Sequence, residues 1–153
     1  MAKSADEELQ KWRDLVGGFI LAFGDIELIT YRMWAERFKR RQPPHRFAAR
    51  TRQLLSQLNG EDEQTGEVRA LLQSALTLAK RRNTVAHNPL QVDVFVHTNT
   101  GQIFAEAAIS AYGAKDRIDD RELMELRSTA DDIANRLYKA IGLQYGIERE
   151  KAS

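Results

Sequence analysis

The sequence predicts a mainly α-helical fold: a bundle of four to five helices with a small β-hairpin inserted near residues 91–108. Three observations carry this. Apolar residues recur at three- and four-residue intervals through several long stretches, the period of helices that each bury one face. After Pro89 the period drops to two, the mark of a strand pair. At 153 residues the chain is long enough for a real core and too short for two, which gives a single domain over 1–153.

Ser4-Ala5-Asp6-Glu7 reads as a capping box that opens the first helix. Leu9, Trp12, Val16, Ile20, Phe23, Tyr31, Trp34 and Phe38 follow as its apolar stripe, with Gly17, Gly18 and Gly24 as points where it weakens or kinks. At about 100° per residue, Glu27 projects near the centre of that stripe, where a carboxylate needs a cation or a donor. Pro43-Pro44 separates the first helix from the second, with Pro44 suited to a first turn. Phe47, Thr51, Leu54, Leu55 and Leu58 form the next stripe, closed by Asn59-Gly60.

Glu61-Asp62-Glu63 leads into a third helix striped by Val68, Leu71, Leu72, Ala75, Leu76 and Ala79. The same phase carries Arg82 onto the apolar side, with Asn83 and His87 four apart on an adjacent edge. Val92, Val94 and Val96 alternate with Asp93, Phe95 and His97, and a second run, Gln102 to Ala108, follows Asn99-Thr100-Gly101. A hairpin of that size must pack on the helices or on another chain. Ile118-Asp119-Asp120-Arg121-Glu122-Leu123 combines a hydrophobic staple with a capping box. The last helix runs through Leu126, Ala130, Ile133, Leu137, Ala140 and Ile141 to Gly142, with a polar tail after Gly146. The expected core is Leu9, Phe23, Trp34, Leu54, Leu72, Leu76, Ile133 and Leu137.

Composition bounds the function. The formal net charge is +1, so a nucleic-acid site has to be a local patch rather than a global field. Such a patch exists between Arg37 and Gly60, which hold no acidic residue: Arg40, Arg41, Arg46 and Arg50, with their basic neighbours, are the RNA-contacting candidates. The alternative for that run is a solvated helix face paired with acids elsewhere. No cysteine is present, which excludes disulfides and thiolate metal sites and fits a reducing compartment. The charged Met1–Glu8 stretch is unlike a signal peptide, and no apolar run reaches membrane-spanning length. The expectation is a cytoplasmic protein with no membrane partner. His45, His87 and His97 share no ligand spacing, and no phosphate-binding glycine loop or nucleophile motif occurs, so no metal and no cofactor are expected.

The chemistry concentrates in Lys80–Pro89. Arg82 is a permanent cation suited to a phosphate, and His87 is a general acid-base group near neutral pH. Asn83 and Asn88 flank them as supporting residues. Arg82-x4-His87, with Asn83 directly after the arginine, resembles the signature of the HEPN superfamily, helical and usually dimeric domains of which many are metal-independent ribonucleases. The resemblance covers the motif and the helical layout. It implies an endoribonuclease, of the kind found as toxins in toxin–antitoxin or defence systems, with Arg82 and His87 catalytic at a homodimer interface. RNA is then the substrate and an antitoxin protein a partner. It departs from some family toxins at Pro89, where those carry a tyrosine that a partner enzyme modifies.

A single histidine does not easily serve as both base and acid, and residues five apart on one helix point roughly 140° away from each other. Two chains meeting near Ala86 and His87 would supply both groups. Glu27 is expected to approach Arg82, or His87; with Arg82 it would form a buried pair whose truncation should cost roughly 3–5 kcal/mol. The competing reading, from a different class, is a non-catalytic helical dimerisation or interaction module in which Arg82 and His87 are structural.

Overall fold

A computed structural model describes residues 5–39, 42–110 and 115–142. Four helices and one hairpin follow in the order α1 (Ala5–Arg37), α2 (Phe47–Gln57), α3 (Glu63–His87), β1 (Leu90–Val96), β2 (Ile103–Ile109) and α4 (Asp120–Ala140). The chain is thus mainly helical with a small antiparallel two-stranded sheet.

α1 runs unbroken through all its glycines, and one of them is used for contact. A Cβ on Gly18 would lie 2.6 Å from a guanidinium nitrogen of Arg127, so α4 lays that side chain directly against the α1 backbone. Lys11 pairs with Asp120 seven residues earlier on each helix, and α1 and α4 therefore run side by side in the same direction. α3 packs against α4 in the opposite sense, tied by Arg81 to Glu122 at one end and Arg136 to Glu67 at the other.

The core is one continuous cluster: Trp12, Phe19, Phe23, Ile26, Ile29 and Trp34 of α1, Leu54 of α2, Leu71 and Leu72 of α3, and Leu123, Ile133 and Leu137 of α4. The sequence phase for α1 is off at two places. Leu9 is 42% exposed and Tyr31 is exposed as well. The buried line runs through Trp12, Phe19, Phe23, Ile26, Thr30 and Trp34, because the face towards α4 and the face towards α2 and α3 are both inside. Leu76 is packed at the rim of the core rather than within it.

Helix ends follow local chemistry. Asp62 caps α3, its carboxylate accepting from the Thr65 N–H at 2.9 Å and the Thr65 hydroxyl at 2.7 Å. Asp119 caps α4 through the Glu122 N–H at 2.7 Å, and Ile118 and Leu123 beside it are fully buried, as a staple requires. Gly142, at φ 66, ends α4 in the left-handed conformation open to glycine. Pro44 does not begin α2; that helix starts at Phe47 with Arg46 as its N-cap, and the Pro44 carbonyl is used elsewhere. Ser4 and the tail after Gly146 lie outside the described residues.

In the hairpin, Leu90 pairs with Ile109 and Val96 with Ile103. An added bridge between Ile109 and Ile118 fastens its root, with N–H to carbonyl distances of 2.8 and 2.9 Å. Ala107 still packs against the core, while Val92, Val94, Val96 and Ile103 are exposed.

Two outcomes test the helix ends. Asp119→Ala removes a cap and should cost about 1 kcal/mol, read as a lower urea midpoint with unchanged slope. The bond from Lys11 holds the Asp120 carboxyl below the usual carboxylate range, and the Thr65 bonds do the same for Asp62. Both groups stabilise the fold while ionised, so their contributions are present above pH about 4 and disappear as pH falls below it. Lys11, raised chiefly by the same Asp120 bond, contributes until pH rises past the ordinary lysine range. A melting temperature that stays flat between pH 5 and 2.5 would count against these assignments.

Candidate functional site

The site is organised around α1. Phe23, Glu27, Thr30 and Trp34 follow one another at four- and three-residue steps, so they share one face of the helix. Phe23, Thr30 and Trp34 are buried, while Glu27 sits at the edge of that face with its side chain one third exposed.

Glu27 meets two arginines through two different groups. Its carboxylate Oε1 lies 3.4 Å from Nη2 of Arg82 on α3. Its backbone carbonyl accepts from Nη2 of Arg50 on α2 at 3.2 Å. The Arg82 guanidinium also donates from Nη1 to Asn83 Oδ1 at 3.2 Å and stands 5.7 Å from the Phe23 ring centroid. Its Nε is buried and has no hydrogen-bond partner among the described residues.

Arg50 is 5% exposed. Its Nε donates to the Thr30 hydroxyl at 3.3 Å and its Nη1 to the Pro44 carbonyl at 3.0 Å, with the Tyr31 and Phe47 rings about it at 5.8 and 6.0 Å. Burial pushes its pKa down, and the nearby Glu27 charge opposes that shift. An arginine so placed is a structural cation. It leaves the exposed basic surface of which the sequence made it a member. The signal was present: Phe47, Arg50, Thr51 and Leu54 are spaced as one buried face of α2, all four are buried, and the charge run masked it.

The other basic candidates divide. Arg46 is exposed at the start of α2, with Arg52 exposed six residues on. Arg40 and Arg41 lie outside the described residues.

α3 continues unbroken through His87, which is its last residue and is exposed. Asn88 caps that end: its side-chain Nδ2 and its backbone N–H both donate to the Thr84 carbonyl, at 2.8 and 3.2 Å. Arg82 and His87 on an unbroken helix point roughly 140° apart. Within one chain, therefore, the structure brings Arg82 to Glu27 and Asn83 and does not bring it to His87. A groove of about 680 Å³ lined by Met33, Arg37, Leu58, Thr65, Lys139 and Ile141 contains none of the motif residues. Among the described residues no cluster of three or more His, Asp or Glu side chains could hold a metal ion, and no helix is long and apolar enough to cross a membrane.

No protein-family model, curated protein or solved structure matches the chain.

The two arginines differ in what their loss costs. The Glu27–Arg82 pair is about a third exposed on each side, so water screens it, and the 3–5 kcal/mol expected of a buried pair is too large. Glu27→Ala should lower stability by about 1 kcal/mol or less, and Glu27→Gln by less again. Arg50→Ala strips three oxygens of a donor and empties a packed site, and should cost several kcal/mol. Denaturant titration of the three variants gives the order; a Glu27→Ala loss equal to that of Arg50→Ala would contradict it.

Proposed function

We propose that the chain is a metal-independent endoribonuclease of HEPN type, acting as a homodimer in which the ends of two α3 helices meet near Ala86 and His87. The observation that carries the reading is the held arginine. Glu27 and Phe23 position Arg82 at the same helix end that presents His87 to solvent, in the Arg82-Asn83-x3-His87 order.

The chemistry needs little more. One His87 takes the proton of an RNA 2′-hydroxyl, and that oxygen forms a bond to phosphorus as the bond to the 5′-oxygen breaks. The His87 of the second chain returns a proton to the leaving oxygen, giving a 2′,3′-cyclic phosphate and a 5′-hydroxyl. Arg82 offsets the charge that builds on the phosphate oxygens. Glu27 is a positioning residue and does not react. Asn83, which accepts from Arg82, and Asn88, which fixes the helix end beside His87, support the pair. Arg46, with Arg40 and Arg41, would contact RNA phosphates. In a toxin role the setting is the cytoplasm, and the protein partner is an antitoxin that covers the helix end.

A second reading, a non-catalytic helical dimerisation or interaction module, is favoured by one observation. Arg82 already gives one Nη to Glu27 and the other to Asn83, which leaves fewer donors for a phosphate.

Incubating purified protein with RNA in excess EDTA separates the two. The nuclease reading requires cleavage that persists in chelator and ends in a cyclic phosphate. His87→Ala and Arg82→Ala should each reduce it by at least a hundredfold with the melting temperature within a few degrees of the parent. Neutralising Arg46 and Arg41 together should weaken RNA binding and flatten its dependence on salt. Binding without cleavage in parent and variants alike assigns the chain to the second class.

A further inference from the structure

The hairpin carries a feature that the nuclease reading does not use. Val92, Val94 and Val96 of β1 share one face with Ile103, Ala105 and Ala107 of β2, and no charged or polar side chain interrupts it. Val94 is 65% exposed and Ile103 68%. The other face shows Phe95 stacked on Phe104 at 5.2 Å, both of them exposed. The four large aliphatics together expose roughly 400 Å², the size of the largest apolar patch expected on a whole monomer. A free two-stranded hairpin is marginal in water, and this one is apolar over the whole of one face, with Asp93 and Glu106 beside the aromatic pair on the other.

Its edges differ. The His97 N–H donates to the Gln102 carbonyl at 2.8 Å, which makes the odd-numbered residues of β1 the ones bonded to β2. The N–H and C=O groups of Val92, Val94 and Val96 therefore point outward. On β2 the outward groups of Ile109 are closed by Ile118, and beyond it that edge carries alanines at 105 and 107 where the β1 edge carries valines. β1 thus has an open edge with no lysine, proline or bulge to block pairing, the devices that keep such edges single.

We propose that this edge pairs with the same edge of a second copy, antiparallel, with Val94 on the two-fold axis, to give a continuous four-stranded sheet. Charge selects the register. The alignment that overlaps all of Leu90–Val96 sets each Asp93–Arg117 ion pair, 2.6 Å long, directly against its own copy, so that like charges oppose across the strand pair. Moving Val94 onto the axis keeps the pairing from Val92 to Val96 and sets Asp93 opposite Phe95. Val94 then meets Val94, and Val92 meets Val96, as β-branched pairs that continue the apolar face and cover its open flank. A second copy fits because each strand supplies what its mate lacks and no charge opposes its like. The two strands leave the axis in opposite directions, so the copies of His87 lie apart. This contact is separate from the one at Ala86 and His87, and it does not rest on the nuclease reading.

Two variants of the full chain test it. Val94→Pro removes only an outward N–H, at an edge position where proline is tolerated, and should halve the particle mass measured by light scattering. The chain has no cysteine, so Val94→Cys supplies the sole thiol. Bonded antiparallel pairs place their Cα atoms about 5.5 Å apart, within disulfide reach, and mild oxidation should link two copies in high yield. Ala105→Cys, on the outer edge of β2, should not link. Should Val94→Pro lose its helical circular dichroism, the cysteine pair decides alone. A parent that is already monomeric, an unchanged mass in a folded Val94→Pro, or no linkage through Val94→Cys overturns the proposal. RNA cleavage is scored separately in each variant, so loss of this contact and loss of the nuclease reading are told apart.

Discussion

A guanidinium buried among helices must be surrounded by oxygen, and Arg50 imposes that condition on three parts of the chain at once. It takes the Thr30 hydroxyl and the Glu27 carbonyl from α1 and the Pro44 carbonyl from the connection to α2. Those bonds fix where α2 sits on α1 and how residues 42–46 return to it. Each acceptor alone is a modest interaction, but leaving the charge uncompensated in that position would cost far more than any one of them provides. The connection between the first two helices is therefore held by a side chain and not by its prolines.

The same stretch of α1 reaches α3 from its other side. Glu27 gives its backbone oxygen to Arg50 and its carboxylate to Arg82, and Phe23 lies under the second guanidinium. One turn of α1 thus sets α2 inside the fold and the C-terminal part of α3 at its margin. The difference in burial separates a cation that holds the structure from one that stays partly available to solvent. That division is what makes Arg82 the candidate for chemistry and removes Arg50 from that role.

The hairpin follows a different logic. Its root belongs to the bundle through Ala108, Ile109 and Ile118, all buried, while its outer two thirds present apolar residues on both faces. The edge of β1 and the end of α3 belong to neighbouring segments, divided by the cap at Asn88 and by Pro89.

Much of the architecture was legible in the sequence because periodicity and capping are local. The stripes of α2, α3 and α4, the cap at Asp119 with its Ile118–Leu123 staple, the period-two run after Pro89 and the glycine at the end of α4 all follow from short-range rules. The proximity of Glu27 to Arg82 was legible as well, from the phases of two stripes. What the phases could not supply was depth. A stripe gives the direction of a side chain, but not whether a neighbouring helix covers it. Leu9 points inward by pattern and is nonetheless exposed, whereas Arg50 points inward by the same arithmetic and is enclosed by groups twenty residues away. The arrangement of cations inside and valines outside reverses what composition alone predicts. Only tertiary structure decided it, because burial depends on which elements meet, and that is set by contacts between residues far apart in the chain.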